Sequence, residues 1–232
     1  MIKTGGVAFI SDVHSNVEAL RAVLSDFGSG PVYCLGDIVG YGASPNEVVE
    51  LLQDRKATCI IGNHDRAVLT GDVGGFNARA GMAAHWTMDH ITEPSRAFLA
   101  GLPTTRTEKV FDRKVYMVHG SPDDHLWEYV YEATHRDLFG HYLTKLKVDV
   151  LATGHTHMPF VWTGPEGMAF NPGSVGQPRT SDKRASYAIV RGAPVGVAVE
   201  LRGVNYDVEA SAKKIIRAGL PESLATRLFS GE

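Results

Sequence analysis

Short apolar runs that stop at a glycine, an aspartate or a histidine recur along the chain, and they constrain its fold more than any other feature. The clearest run, residues 57–61, leads into Gly62-Asn63-His64-Asp65. Runs of this length are typical of buried strands, and the loops that follow strands usually carry the chemistry of α/β folds. The other polar segments of this kind are Asp12-Val13-His14, Gly36-Asp37, His119-Gly120 and Gly154-His155-Thr156-His157.

Helical periodicity separates the first apolar runs from one another. Apolar residues at helical spacing fill 17–27 and 45–52, with Pro45 at an early helical position. Because strands and helices alternate, we predict parallel strand pairing with right-handed crossovers. Further predicted elements are helices across most of 66–102, a loop at 70–75, a hairpin around Asp112-Arg113, a helix at 136–146, strands at 148–152 and within 160–201, and a helical tail at 208–229 interrupted at 219–221.

The composition fits one domain that spans residues 1–232. With 44% hydrophobic residues the chain can bury a sizeable core, and its net charge of −3 argues against a general nucleic-acid binder or a protein held on an anionic membrane. No apolar stretch reaches the length of a membrane span, and the N-terminus lacks a signal-peptide core. We therefore expect a cytoplasmic protein in which Cys34 and Cys59 are buried thiols and form no disulfide.

The polar segments together offer oxygen and nitrogen ligands for metal ions. Mixed sites of this kind, without thiolate, suit Mn, Fe, Zn or Co and differ from structural zinc sites, which favour cysteine. Seven ligands are too many for one ion that keeps solvent positions open, whereas they fit two ions that share one carboxylate. The oxygen ligands are Asp12, Asp37 and Asn63, and the imidazoles are His14, His119, His155 and His157.

In this order, the five segments resemble the calcineurin-like metallophosphoesterases. The similarity runs from Asp12 to His157 and continues into residues 171–179, Asn-Pro-Gly-Ser-Val-Gly-Gln-Pro-Arg, which resemble the small bacterial and archaeal phosphoesterase branch. The ordered pattern is specific, although each segment alone would not be. The resemblance implies an α/β fold (α+β in some schemes), namely a four-layer α-β-β-α sandwich with two stacked mixed β-sheets flanked by helices.

The resemblance also implies a role for each residue. His64 stands where the family has its proton donor beside the leaving oxygen. Two ions about 3.5–4 Å apart would clamp the phosphate and lower the pKa of a bridging water, and the resulting hydroxide would attack phosphorus in line. We expect two divalent or trivalent transition-metal ions, Mn first, with Fe, Zn, Co and Ni as alternatives. By resemblance the first ion is held by Asp12, His14, Asp37 and His157, and the second by the same Asp37 with Asn63, His119 and His155.

One departure from the family pattern bears on the substrate. Protein phosphatases of the family carry an acidic residue and an arginine shortly after the bridging aspartate, whereas this chain has Gly40 and Tyr41 there. The acidic partner of His64 and the phosphate-gripping arginine are therefore missing at those positions, which favours small phosphoesters. Arg66 and Arg179 are candidates to replace the arginine, with a structural role as their alternative, and Tyr41 is a further candidate for binding substrate.

We predict a metal-dependent hydrolase of small phosphoesters, most readily a phosphodiesterase, with no membrane partner. Hydrolysis of nucleotides or dinucleoside polyphosphates is an alternative, because Trp127, Tyr129 and Tyr131 could stack on a base, although such clusters more often pack an irregular loop. A protein phosphatase is a further alternative. A non-catalytic scaffold, such as the retromer-associated member of this fold, is disfavoured because His64 and all seven ligands are present. The sequence leaves a homo-oligomer open.

Overall fold

The structure is a computed structural model and describes residues 5–231. Two five-stranded mixed sheets form its centre. The strands are β1 (Val7–Ile10), β2 (Val32–Cys34), β3 (Thr58–Cys59), β4 (Thr105–Val110), β5 (Arg113–Val118), β6 (Val150–Ala152), β7 (Phe160–Gly164), β8 (Gly167–Asn171), β9 (Ala185–Gly192) and β10 (Val197–Val204). The first sheet has the order β10-β9-β1-β2-β3 and the second the order β4-β5-β6-β8-β7.

Helices cover the outer faces of both sheets. They are α1 (Val17–Phe27), α2 (Pro45–Asp54), α3 (Asn63–Thr70), α4 (Ala78–His90), α5 (Glu93–Ala100), α6 (Glu132–Leu146), α7 (Val208–Arg217) and α8 (Glu222–Ser230). One hydrophobic cluster joins α1 and α2 to the first sheet, a second lies between the sheets, and a third joins α6 to the second sheet. The predicted α-β-β-α order of layers is confirmed.

The first strand, β1, explains why the sheets stack. Its four residues are all buried. Since successive side chains of a strand point to opposite faces, Val7 and Phe9 enter the core between the sheets, while Ala8 and Ile10 enter the core under α1 and α2. A strand buried on both faces needs the continuous apolar run that the sequence has there.

The strand pairing agrees with the alternation of strands and helices. β1 pairs in parallel with β2, and β2 with β3. β4 and β5 form the predicted hairpin, and α7 and α8 form the predicted tail, separated at residues 218–221. Cys34 and Cys59 lie side by side on β2 and β3 as free buried thiols. Within residues 5–231, no helix is both long enough and apolar enough to cross a bilayer.

The third predicted strand is shorter than expected. The apolar run 57–61 forms a ladder only at Thr58–Cys59, and Ile61 instead donates its N–H to the carbonyl of Pro103. Helix α3 also begins directly at Asn63, so Asn63 and His64 occupy its first turn and not a loop. Asp65 accounts for this early start, because its carboxylate accepts the Gly62 N–H at 3.0 Å and thereby caps the helix.

Candidate metal centre

The five polar segments meet at one end of the two sheets. Asp12 donates its N–H to the carbonyl of Gly36 at 3.0 Å, and Gly154 donates to the carbonyl of His119 at 2.9 Å. These bonds tie together the loops that follow β1, β2, β5 and β6. All seven predicted metal ligands are buried in this region.

The backbone of most of these ligands is strained. Five of the seven lie in the left-handed region, which only glycine adopts without cost. Each such residue costs about 1–2 kcal/mol, and strain of this kind persists where surrounding structure holds it, commonly at functional sites. The five are Asp12 (φ 54°), His14 (φ 47°), Asp37 (φ 52°), His155 (φ 66°) and His157 (φ 60°).

The first ligand group consists of Asp12, His14 and His157. The Nδ1 atoms of both imidazoles bond backbone carbonyls, His14 that of Val39 at 3.2 Å and His157 that of Gln177. In the neutral ring each Nε2 then carries a lone pair and acts as an acceptor, and the two Nε2 atoms lie 3.1 Å apart. Asp12 Oδ1 lies 3.2 Å from His157 Nε2 and is buried without a hydrogen-bond partner among the described residues. Three acceptors that face one another fit a cation.

The second ligand group consists of Asp37, Asn63, His119 and His155. His119 donates Nδ1–H to the carbonyl of Leu35 at 2.8 Å, so its Nε2 faces Asn63 Oδ1 at 3.1 Å and Asp37 Oδ2 at 3.4 Å. His155 differs, because its Nε2 lies 3.2 Å from the carbonyl of Trp127, which leaves Nδ1 to act as the ligand. Carbonyl partners of this kind fix the tautomer of metal-binding histidines.

Asp37 lies between the two groups. Its Oδ2 atom is 3.4 Å from His119 Nε2 and 3.7 Å from His14 Nε2, and its Oδ1 accepts the backbone N–H of His64 at 2.8 Å. A side chain at Gly62 would overlap this carboxylate, so glycine is required there. The arrangement leaves one oxygen of Asp37 facing both candidate ion positions.

The protonation of the imidazoles suits metal binding. Burial lowers the pKa of His14 and His157 and brings the pKa of His155 to about 3, so these rings are neutral and can act as ligands. His119 is the exception: burial opposes its charge, but the Asp37 carboxylate outweighs burial and raises its pKa to about 9. A metal ion at the second group would have to displace this proton.

His64 lies beside the ligands in an aromatic setting. Its ring stacks on Phe76 with centroids 4.3 Å apart and contacts Tyr41 at 4.4 Å. Burial lowers its pKa to about 4, and Nδ1 has no hydrogen-bond partner within residues 5–231. Gly40 makes room for the ring, because a Cβ atom there would lie 2.6 Å from Nδ1. His64 also lies close enough to His14 and Asp37 to serve as a ligand.

Residues of both ligand groups line a cleft with a volume of about 260 Å³, namely Asp37, Asn63, His155 and His157. Of the residues predicted to bind substrate, Tyr41 and Arg179 line it, whereas Arg66 is exposed on α3 and lies outside its lining. Placement therefore gives no support to Arg66 as a phosphate contact. Sequence reasoning missed Phe76 and Arg227, which also line the cleft. Nothing local marks Arg227, an ordinary basic residue of the tail helix α8.

Two residues of the predicted aromatic patch lie at the site. Trp127 and Tyr129 line the cleft, and Tyr129 stacks on the predicted ligand His155 with centroids 4.0 Å apart. Trp127 also contacts Phe76 at 5.4 Å. A place on the cleft is compatible with both predicted roles, stacking on a base and packing of the loop, and Tyr131 stacks on Tyr129. We call Phe76, Trp127 and Tyr129 the aromatic set.

Comparisons with known proteins agree with the fold and with the family that the sequence resembles. The sequence model of the calcineurin-like phosphoesterase superfamily domain matches residues 6–192. An uncharacterised protein of Methanocaldococcus jannaschii is 38% identical over 97% of this chain and 98% of its own length. The crystal structure of a metallophosphoesterase from Sphaerobacter thermophilus is 35% identical, with a TM-score of 0.83 over 98% of this chain and 99% of the other. A hypothetical protein of Pyrococcus horikoshii, 21% identical, shares the fold with a TM-score of 0.86 over 98% of each chain. The chain therefore belongs to the calcineurin-like phosphoesterase superfamily and is a phosphoester hydrolase of the metal-dependent kind.

Proposed function

We propose that this protein is a phosphodiesterase that acts on small molecules with two bound transition-metal ions, Mn by preference. The observation that carries the proposal is the pair of ligand groups that share Asp37 Oδ2 beside the cleft. Divalent ions bound there would supply Lewis acidity and lower the pKa of a bound water. Asp12, His14 and His157 would hold one ion, and Asn63, His119 and His155 the other.

Other residues of the chain would bind and orient the phosphoester. Arg179 lines the cleft near His64 and His157, whose pKa values are lowered first by burial and to a smaller extent by the charge of Arg179, so it is placed to bind a phosphate oxygen. His64 would hydrogen-bond to the leaving oxygen and donate a proton to it. Burial lowers the pKa of His64 to about 4, so the negative charge of a bound phosphoester would have to raise this pKa for the ring to be protonated and act as the acid.

The preference for diesters follows from charge and from space. A monoester carries up to two negative charges, and protein phosphatases of the family grip it with an arginine at a place where this chain has Tyr41. A diester carries one charge and two substituents. The cleft offers two kinds of surface for such substituents, the aromatic set and the guanidinium groups of Arg179 and Arg227.

Nucleotide hydrolysis is a second candidate because of the aromatic set. Trp127 and Tyr129 are 38% and 42% exposed, so their rings are accessible for stacking on a base. A cytoplasmic location and a small-molecule substrate remain predictions from the sequence.

A substrate panel tests the proposal. Protein stripped of metal and then reloaded with Mn would be assayed with bis(p-nitrophenyl) phosphate, p-nitrophenyl phosphate, nucleoside phosphates, a dinucleoside polyphosphate and a phosphopeptide. We expect the highest kcat/KM with the diester and no turnover before Mn is added. Asp37→Asn protein purified in parallel controls for a contaminating hydrolase. A clear preference for a nucleoside phosphate or the phosphopeptide would contradict the proposal.

A further inference from the structure

Three arginines continue the cleft away from the ligand groups. Arg179 and Arg227 line the cleft itself, and a neighbouring pocket of about 420 Å³ is lined by Arg227 and Arg79. The two spaces share Tyr41, Asn77 and Arg227, so they are contiguous. Arg179, Arg227 and Arg79 therefore form a row, which we call the arginine row, that begins at the metal centre.

The arginine row has no close carboxylate partner among the described residues, and the carboxylate of Asp12 acts on Arg179 only from a longer distance. Within residues 5–231 its three members form no ion pair; the arginines that do are Arg106, Arg113, Arg136, Arg184, Arg191 and Arg202. Arg227 Nε is buried, and it too has no hydrogen-bond partner within residues 5–231. Burial, followed by the positive charges of Arg179 and Arg79, lowers the pKa of Arg227. Like charges are costly when held together, so the row is suited to a ligand that supplies negative charge.

The packing of helix α8 places the side chain of Arg227 at the cleft, which argues against an incidental position on the protein surface. Helix α8 packs through Leu224, Ala225 and Leu228 into a cluster that also contains Tyr41 and residues of α4. This packing fixes the helix beside the cleft and directs one of its half-buried side chains to the cleft lining.

We propose that the arginine row binds a second phosphate group of the substrate, remote from the phosphodiester that is cleaved. This proposal rests on the proposed function and narrows it to phosphodiesters that carry an additional phosphate on one substituent. Phosphate fits better than a carboxylate, because it offers more negative charge and more acceptor oxygens for several guanidinium groups at once. The aromatic set would contact the other substituent.

Two chromogenic diesters that differ by one phosphate test the proposal. They are the p-nitrophenyl ester of thymidine 5′-phosphate and the same ester with a 3′-phosphate added, so the scissile bond and the leaving group are identical. We expect the Mn-loaded protein to cleave the 3′-phosphorylated ester with the higher kcat/KM. Arg227→Met should remove about 10–100-fold of kcat/KM for that ester, the range expected for hydrogen bonds to a charged group, and should cost the other ester a clearly smaller factor.

Matched variants separate the loss of a specific phosphate contact from a general loss of positive charge and from misfolding. Arg217→Met deletes one exposed arginine of the neighbouring helix α7 and should leave both esters unchanged. Arg227→Lys keeps the charge and should keep part of the preference. Melting temperatures would identify a variant that fails to fold, and in that case Arg79→Met gives the second measurement at the other end of the row.

Equilibrium binding gives a readout that does not depend on turnover. By calorimetry with Mn-loaded protein, thymidine 3′,5′-bisphosphate should bind more tightly than thymidine 5′-phosphate, and Arg227→Met should equalise the two. Equal kcat/KM for the two esters in the wild-type protein, or equal losses on both in Arg227→Met, would overturn the inference while leaving the phosphodiesterase intact. Absence of any diester cleavage would instead overturn the proposed function, and the binding measurement would still decide the role of the row.

Discussion

At the scale of residues, the site depends on which atom of each side chain is left free. Asp37 Oδ1 is used by the backbone N–H of His64, so Oδ2 alone faces the two ligand groups. Nδ1 of the His64 ring has no hydrogen-bond partner within the described range 5–231, and the ring stacks on Phe76. We therefore propose different roles for these two hydrogen-bonded residues: Asp37 holds metal and His64 transfers a proton.

Substitution should separate these two jobs. Asp37→Asn should lower metal content and activity together, because it removes the shared negative charge. His64→Ala should leave metal content near that of the wild type and slow hydrolysis by about 10²–10⁴-fold for an alkyl leaving group, with a smaller loss for p-nitrophenolate, which needs little help from an acid. Elemental analysis and kinetics with both leaving groups measure this.

Two outcomes would change the assignment of His64. Equal losses with the two leaving groups would indicate that the ring positions phosphate and does not donate a proton. Loss of one ion in His64→Ala would make His64 a metal ligand, a role that its closeness to His14 and Asp37 permits.

Gly40 offers an independent test of the ring's position. Its φ is +90°, and a Cβ atom would meet His64 Nδ1 at 2.6 Å. We expect Gly40→Ala to displace the ring and reduce kcat with metal content retained. Gly71→Ala is the matched control, because its φ is +78° but its added Cβ would meet only Met88, at 3.6 Å. If both variants lost activity equally, backbone strain and not the ring's displacement would be responsible.

At the scale of elements, the first sheet is held to α1 by a buried phenol. Tyr187 on β9 donates its hydroxyl to Asp26 Oδ2 of α1 at 2.6 Å, and its ring is fully buried. Burial and this hydrogen bond raise the pKa of Tyr187 to about 12. Ionisation would place a negative charge beside the carboxylate of Asp26, so this contact is sensitive to alkaline pH.

The raised pKa predicts a pH window for stability. An unfolded tyrosine ionises near pH 10, so the stabilisation from Tyr187 should be fully present below about pH 10 and be lost as the pH approaches 12. Denaturant unfolding between pH 8 and 12 should therefore show a smaller loss in Tyr187→Phe than in the wild type. Some loss should remain, since the pKa values of Tyr142 and Tyr206 are also raised to about 12. Parallel curves for the two proteins would contradict this prediction.

At the scale of the whole molecule, the candidate ions would cross-link loops from both sheets. Asp12 and Asp37 follow strands of the first sheet, whereas His119 and His155 follow strands of the second. Ligands that bind only the folded state stabilise it in proportion to the logarithm of their concentration. The single-domain organisation remains a prediction, which such a cross-link supports.

Metal removal should therefore lower the melting temperature in a dose-dependent way. We expect Mn to restore it and to saturate at two ions per chain in elemental analysis, since two ligand groups share Asp37. Saturation at one ion would contradict the dinuclear site. A strong reductant serves as the control and should change nothing, because Cys34 and Cys59 are free thiols.

The sequence by itself determined the elements and the ligand types. Apolar runs such as Val7–Ile10 specify buried strands because hydrophobic periodicity is local, and the order of aspartate, asparagine and histidine segments is legible without coordinates. The cap at Asp65 was also legible in principle, but the apolar run before it suggested a longer strand. The strand ends early because Ile61 donates its N–H to the carbonyl of Pro103 in another segment of the chain, a tertiary contact that prevails over local strand propensity.

The tertiary structure alone decided which atoms and which distant residues complete the site. Backbone carbonyls such as Leu35 O select the free nitrogen of each imidazole. Hydrogen bonds between loops, such as that from His14 N–H to the carbonyl of Asp37, accompany the left-handed backbone of five ligands. It also placed Arg227 beside the cleft and Arg66 outside it. The apolar face of an amphipathic helix predicts that the helix packs against other elements but does not predict which ones. The position of α8 follows from long-range contacts with Tyr41 and α4, which no local pattern encodes.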